Sequence, residues 1–135
     1  MTPALEALAR RAVACRGWRW MPGMLMQYPA RRGACGQQVY PSHSRVADLP
    51  EPLGRNWGVI DLKSIGPDAL PDLTDPATLG CLLALVREAW SQPSATTLAH
   101  HGRWYVVHAD VDASSWLAAW PTEAEALIAA LEAAP

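Results

Sequence analysis

The stretch from Thr74 to Trp90, TDPATLGCLLALVREAW, restricts the fold of this chain more than any other. Leu79, Leu82, Leu83, Val86 and Trp90 fall at i, i+3, i+4, i+7 and i+11, and Cys81 and Leu85 widen the stripe they make. That period predicts a helix over about 75–90. Thr74-Asp75-Pro76 starts it with a capping side chain, an acid in the first turn and a proline just inside; Ser91-Gln92-Pro93 ends it. Only Arg87 and Glu88 interrupt the apolar run near its end, so the apolar face is broad. A helix of this kind is central, covered on more than one side.

Two further helices frame it. Thr2-Pro3 followed by Leu5, Leu8, Ala9, Ala12 and Val13 predicts a first helix, stopped at Gly17. Thr122 and Glu125 have capping-box spacing ahead of Leu127, Ile128 and Leu131, which predicts the last. Strands are expected between the helices. Trp18 and Trp20 would share one face of a strand that Pro22-Gly23 breaks, and Met24 to Tyr28 resumes extended chain. Gln37–Tyr40, Ser42–Leu49 and Asn56–Leu62 are short strand candidates, the last with Trp57, Val59 and Ile60 as its apolar core. Pro29–Gly36, Pro50–Gly54 and Asp110–Ser114 read as loops, and Gly66–Asp72 as a connector. Ala95–His100 and Arg103–Ala109 form a hairpin around His101-Gly102, with Ser115–Trp120 as a third strand. The expectation is one α+β domain over residues 1–135: about three helices on an antiparallel sheet, or on two small sheets.

At 135 residues and 50% apolar, the chain has ample material for one core. Its apolar set is unusual, with seven Trp and no Phe. Each indole N–H needs a partner, so several Trp should sit half-buried with one edge wet. Twelve Pro and nine Gly, mostly before residue 77, imply an irregular first half. The N-terminus has no basic segment leading an apolar run, so no signal peptide is expected. Leu79–Val86 is far short of the ~20 apolar residues that span a bilayer. Three widely spaced cysteines, Cys15, Cys35 and Cys81, without a CxxC pair, point to reduced thiols in a cytoplasmic setting.

The net charge of −2 hides a strong asymmetry. Residues 1–55 carry eight Arg against Glu6, Asp48 and Glu51, a net of +5. Residues 56–135 carry Lys63, Arg87 and Arg103 against ten acids, a net of −7. Either half could face an oppositely charged partner, or folding could intermix the two sets of charges on one surface. Arg16, Arg19, Arg31 and Arg32 interleave with Trp18, Trp20 and Tyr28, a mixture that suits phosphate contact and base stacking. A pI near 6.0 and the lack of a helix-turn-helix weigh against a dedicated nucleic-acid binder.

Motifs for catalysis are missing. There is no GxxxxGK[ST], GxGxxG, GxSxG or HExxH. His100, His101 and His108 on the hairpin, and Cys35 with His43, lack the paired spacings of a structural zinc site. Cys15 and Cys35 lie in basic surroundings that would lower a thiol pKa, but no partner His is identifiable; Cys81 reads as a small core residue. Asp110 and Asp112 read as a solvated turn rather than a carboxylate pair. No cofactor, metal or catalytic residue is expected.

Three blocks, WRWMPGM at 18–24, LPDLTDPATLGCLLALVREAW at 70–90 and PTEAEALIAALEAA at 121–134, resemble a family of small uncharacterised proteins encoded by tailed bacteriophages and prophages. They cover about a third of the chain in the family's order, and the leading helix is similar too. The resemblance assigns no catalytic residues. It implies an accessory protein of the bacterial host cytoplasm that binds a host protein or complex, possible targets including anti-phage defence machinery, as an anti-CRISPR-type inhibitor does. Trp, Met and Arg are the residues protein interfaces favour, which makes Arg19, Trp20, Met24, Arg31 and Arg32 the candidate contacts. A nucleic-acid-binding accessory protein using the basic, Trp-containing half is the alternative; no membrane partner is expected. A hydrophobic strand ending at the Pro-Gly bend would equally satisfy the WRWMPGM pattern.

Overall fold

A computed structural model describes residues 1–28, 43–48, 58–107 and 119–135. The expected segments 29–42, 49–57 and 108–118, with Arg31, Arg32, Cys35, Trp57, His108, Asp110, Asp112 and Trp116, lie outside the described residues. The described chain is α+β: three helices with a four-stranded and a two-stranded sheet.

Helix α1 spans Pro3–Ala14, and the Thr2 hydroxyl accepts the Leu5 N–H as its N-cap. Leu8, Ala9 and Ala12 face the core. Helix α2 spans Pro76–Ala89. Its N-cap is Asp75, which accepts from the Thr78 N–H and so stands one residue before the first turn, where the acid is expected; Thr74, the expected cap, instead donates its hydroxyl to Asp72. Thr78, Leu82, Leu85 and Val86 are buried, while Leu79, Leu83 and Trp90 are half-buried around them. Helix α3, Glu123–Glu132, starts with the expected capping box between Thr122 and Glu125. Ala124, Ala126, Leu127, Ile128, Ala130 and Leu131 are all buried. Its alanines leave no bulk between backbones, and α2, α1 and the hairpin all pack on it.

Strand β1, Leu25–Gln27, is the resumed extended segment after the Pro22-Gly23 bend, where Gly23 takes φ +98°. The strand expected over Trp18–Met21 does not form. Its backbone joins no sheet, and the two indoles meet edge to face at 5.5 Å instead of standing side by side on a pleat. Strand β2, His43–Ala47, pairs antiparallel with β1, and β3, Val59–Asp61, pairs parallel with β2. The sheet is therefore mixed. Apolar alternation carries no direction, so the parallel pair is invisible to periodicity. Val59 is 41% exposed and lies outside the core; Ile60 packs against it. The expected connector at 66–72 holds a two-residue strand, β4 (Leu70–Pro71), which closes the order β3-β2-β1-β4. Pro71 is tolerated there because β4 is an edge.

Strands β5, Thr96–His100, and β6, Arg103–Val107, form the expected hairpin. His101 and Gly102 both take positive φ, 49° and 70°, the two-residue turn whose twist matches a hairpin. Trp120 forms an antiparallel bridge with Trp104 along the far edge of β6. Among the described residues, no helix is long and apolar enough to cross a membrane.

Candidate interaction surface

The chain leaves α1 by passing tightly between the other two helices. A Cβ on Gly17 would lie 3.2 Å from Leu131 Cδ1 and 3.6 Å from Ala89 Cβ, so a side chain there would press on Leu131, which would have to give by a few tenths of an ångström. Trp18 and Trp20 follow, both half-buried against the core. Arg19 between them turns outward. Its guanidinium grips the Glu88 carboxylate of α2 with two bonds of 2.9 and 2.6 Å. Those bonds hold the Glu88 carboxyl below its ordinary pKa.

Two adjoining open depressions, of about 530 and 270 Å³, flank this segment and share Arg16, Gly17 and Ala89 in their linings. One end carries the bidentate pair Arg11–Glu132, at 2.9 and 2.7 Å, and the other the pair Arg19–Glu88. Arg16 stands exposed between them and forms no ion pair with a described residue. The result is a shallow trough with a floor of small residues, two neutralised ends, one uncompensated guanidinium and a tryptophan at its edge. Such a surface can accept an acidic side chain or a carboxyl end from a partner, with an apolar neighbour packed on Trp18.

Cys15 lines the trough but is a poor nucleophile. Its thiol donates to the Arg11 carbonyl at 3.3 Å, and burial pushes its pKa up, with Glu132 adding to that and Arg11 opposing it. The basic sequence surroundings therefore do not lower it. Burial likewise raises Cys81, which is half-buried on α2. Among the described residues no group of three or more His, Cys, Asp or Glu is placed to hold a metal ion. The consecutive His100 and His101, where the hairpin enters its turn, have their rings edge to face at 4.1 Å.

Of the candidate contacts, Arg19 lines this trough, whereas Trp20 is not in its lining and packs edge to face on Trp18. Met24 is fully buried at the heart of the core and offers a partner no surface in this fold. Its neighbour Gly23 explains why: the bend returns the chain against β2, with the Gly23 N–H on the Val46 carbonyl at 2.8 Å. Arg31 and Arg32 lie outside the described residues. Sequence reasoning missed Arg11, Glu88 and Glu132 as the frame of the surface. The signal was the charge split between the two halves, because Arg11–Glu132, Arg19–Glu88 and Arg45–Asp75 each join a basic-half arginine to an acidic-half carboxylate. Folding intermixes the charges.

Set against known proteins, the chain matches no family model, no curated protein and no solved structure.

Proposed function

We propose that this protein is a binding module without a reaction of its own, an accessory product of a tailed phage or prophage that engages a bacterial host protein or complex in the host cytoplasm. Interference with host or anti-phage defence machinery, in the manner of an anti-CRISPR-type inhibitor, is the role such a product would serve. The observation that carries the reading is the Arg16 trough, where an exposed guanidinium sits between two bidentate ion pairs next to Trp18. A buried arginine contact beside an aromatic side chain is the usual energetic centre of a protein interface. Arg19 is already committed to Glu88, which leaves less positive charge for a phosphate backbone and favours a protein partner over nucleic acid.

The test is affinity capture from a bacterial host with the tagged chain and its Arg16→Glu variant. The reading expects a specific protein with the first and its loss with the second, while both chains melt alike. Equal recovery with both would remove the trough from the interface. Binding to oligonucleotides that collapses with added salt would replace the reading with the nucleic-acid alternative.

A further inference from the structure

The two edges of the β5–β6 hairpin are finished differently. On β6, Trp104 exchanges backbone hydrogen bonds with Trp120, donating at 2.8 Å and accepting at 3.0 Å, so that edge is covered. On β5 the pairing register opposes His100 to Arg103 across a two-residue turn, which makes 100–103, 98–105 and 96–107 the hydrogen-bonded pairs. The N–H and C=O of Thr97 and Ala99 therefore point away from β6. Among the described residues no strand pairs with them. The carbonyl of Ala95, the preceding outward group, is taken by the Arg87 guanidinium at 2.7 Å, which ends the open edge on that side.

This short edge lacks two of the guards that edge strands usually carry, a charge and a proline. Residues 94–99, SATTLA, hold no charge and no proline, although the half of the chain they belong to carries a net −7. Thr96, Leu98, Ala99 and His100 are exposed, and Leu98, at 40%, is among the described residues one of the few large apolar side chains open to water. Thr97 faces the other way, its hydroxyl donating to Glu123 of α3 at 2.6 Å, so the helix supports the edge from behind.

We propose that the β5 edge pairs with the β5 edge of a second copy of this chain. The geometry is self-complementary about Leu98. With a two-fold axis through that residue, Thr97 meets Ala99 of the other copy and Ala99 meets its Thr97, which forms four backbone hydrogen bonds and satisfies every outward group of the edge. Leu98 then faces Leu98 across the axis as a non-hydrogen-bonded pair, where side chains approach most closely. Because Tyr105 is the cross-strand neighbour of Leu98 within each hairpin, the outer face gains a continuous row, Tyr105, Leu98, Leu98 and Tyr105. Two hairpins become one four-stranded antiparallel sheet. The absence of charge is what permits this, since any charged residue on the strand would face itself or its neighbour's copy near the axis.

Two measurements on the full chain test this. Sedimentation should show a concentration-dependent monomer–dimer equilibrium, and Leu98→Lys should weaken it at least ten-fold without changing the circular dichroism spectrum or melting midpoint. Under mild oxidation, Leu98→Cys should give a covalent dimer whose mapped disulfide joins residue 98 to residue 98, since Cα atoms of such a pair lie about 4.5 Å apart. Thr96→Cys should not cross-link to itself, because those positions lie about 14 Å apart along the paired strands. A wild-type chain that stays monomeric up to about 1 mM leaves the edge for a foreign extended segment and overturns the proposal. So does a dimer that Leu98→Lys leaves intact, or one in which the 98–98 disulfide does not form.

Discussion

The guanidinium of Arg45 on β2 grips both oxygens of the Asp75 carboxylate, at 2.7 and 3.1 Å, and so ties the mixed sheet to the N-terminus of α2. The same Arg45 nitrogen that bonds Oδ2 also donates to the Gly23 carbonyl at 2.8 Å, and Asp75 accepts from both the backbone N–H and the hydroxyl of Thr78. Thr78 is fully buried, and its hydroxyl oxygen accepts the Leu25 N–H at 2.8 Å. One network thus satisfies a helix cap, a strand start and the Pro22-Gly23 bend. Asp75→Ala is expected to cost about 1–2 kcal/mol from the lost cap alone. In a double-mutant cycle with Arg45→Ala, urea unfolding should show a coupling of about 0.5–1 kcal/mol, since the carboxylate is largely buried but the arginine is open. Strict additivity would mean the pair contributes nothing.

Acid should loosen this junction. The Arg45 hydrogen bonds, helped by those from Thr78, hold the Asp75 carboxyl below its ordinary value. A carboxyl lowered in the folded state stabilises the fold fully above its unfolded pKa of about 3.9, and that contribution disappears as pH falls through the folded value. Wild-type unfolding free energy should therefore decline below about pH 5 more steeply than that of Asp75→Asn. Parallel curves for the two chains would assign the acid sensitivity elsewhere.

Trp90 caps a helix that is not its own. At the C-terminus of α2, its indole N–H donates at 2.8 Å to the Ala130 carbonyl, in the last turn of α3, where backbone acceptors run out of helical donors. Trp90→Phe keeps most of the packing and removes that donor. The expected loss is about 0.5–1.5 kcal/mol in chemical denaturation. An unchanged midpoint would show that water replaces the indole without penalty.

Met24 and Trp20 should separate cleanly in mutagenesis. Met24→Ala empties a site at the centre of the core and should cost roughly 2–5 kcal/mol, with any loss of binding following only from unfolding. Trp20 is half-buried and shares an edge-to-face contact with Trp18, so Trp20→Ala should cost about 1–3 kcal/mol, less than the methionine. Thermal melts of the two variants give the ranking directly; a reversed order would place Trp20, not Met24, at the centre of the core.

The WRWMPGM segment shows how far local pattern reached. Alternation of Trp18 and Trp20 fitted a strand, yet among the described residues no strand pairs with residues 18–21, where Gly17 brings the chain close to Leu131 and Ala89. Pairing is a non-local event, and a period of two states only that one face is apolar. Leu70-Pro71 erred in the other direction. Two residues carry no period at all, and only their register opposite Met26 and Gln27 makes them a strand. The interaction surface was partly legible: Arg19 lines it, whereas Trp20 is not in its lining and Met24 went inward because the Gly23 bend turns it under β2.

What the amino-acid sequence determined by itself was the set of local choices whose physics closes within about four residues. These are the Thr2 and Thr122 caps, the apolar stripe of α2, the capping box at Glu125, and the hairpin turn at His101-Gly102. The tertiary structure alone decided which charges meet. A carboxylate cannot choose among eight arginines by spacing, and Glu132 finds Arg11 across 121 residues only because α1 and α3 pack side by side. Three ion pairs join the +5 half to the −7 half once the helices are docked, and Arg16 is the described arginine of the basic half that this docking leaves without an ion pair among the described residues.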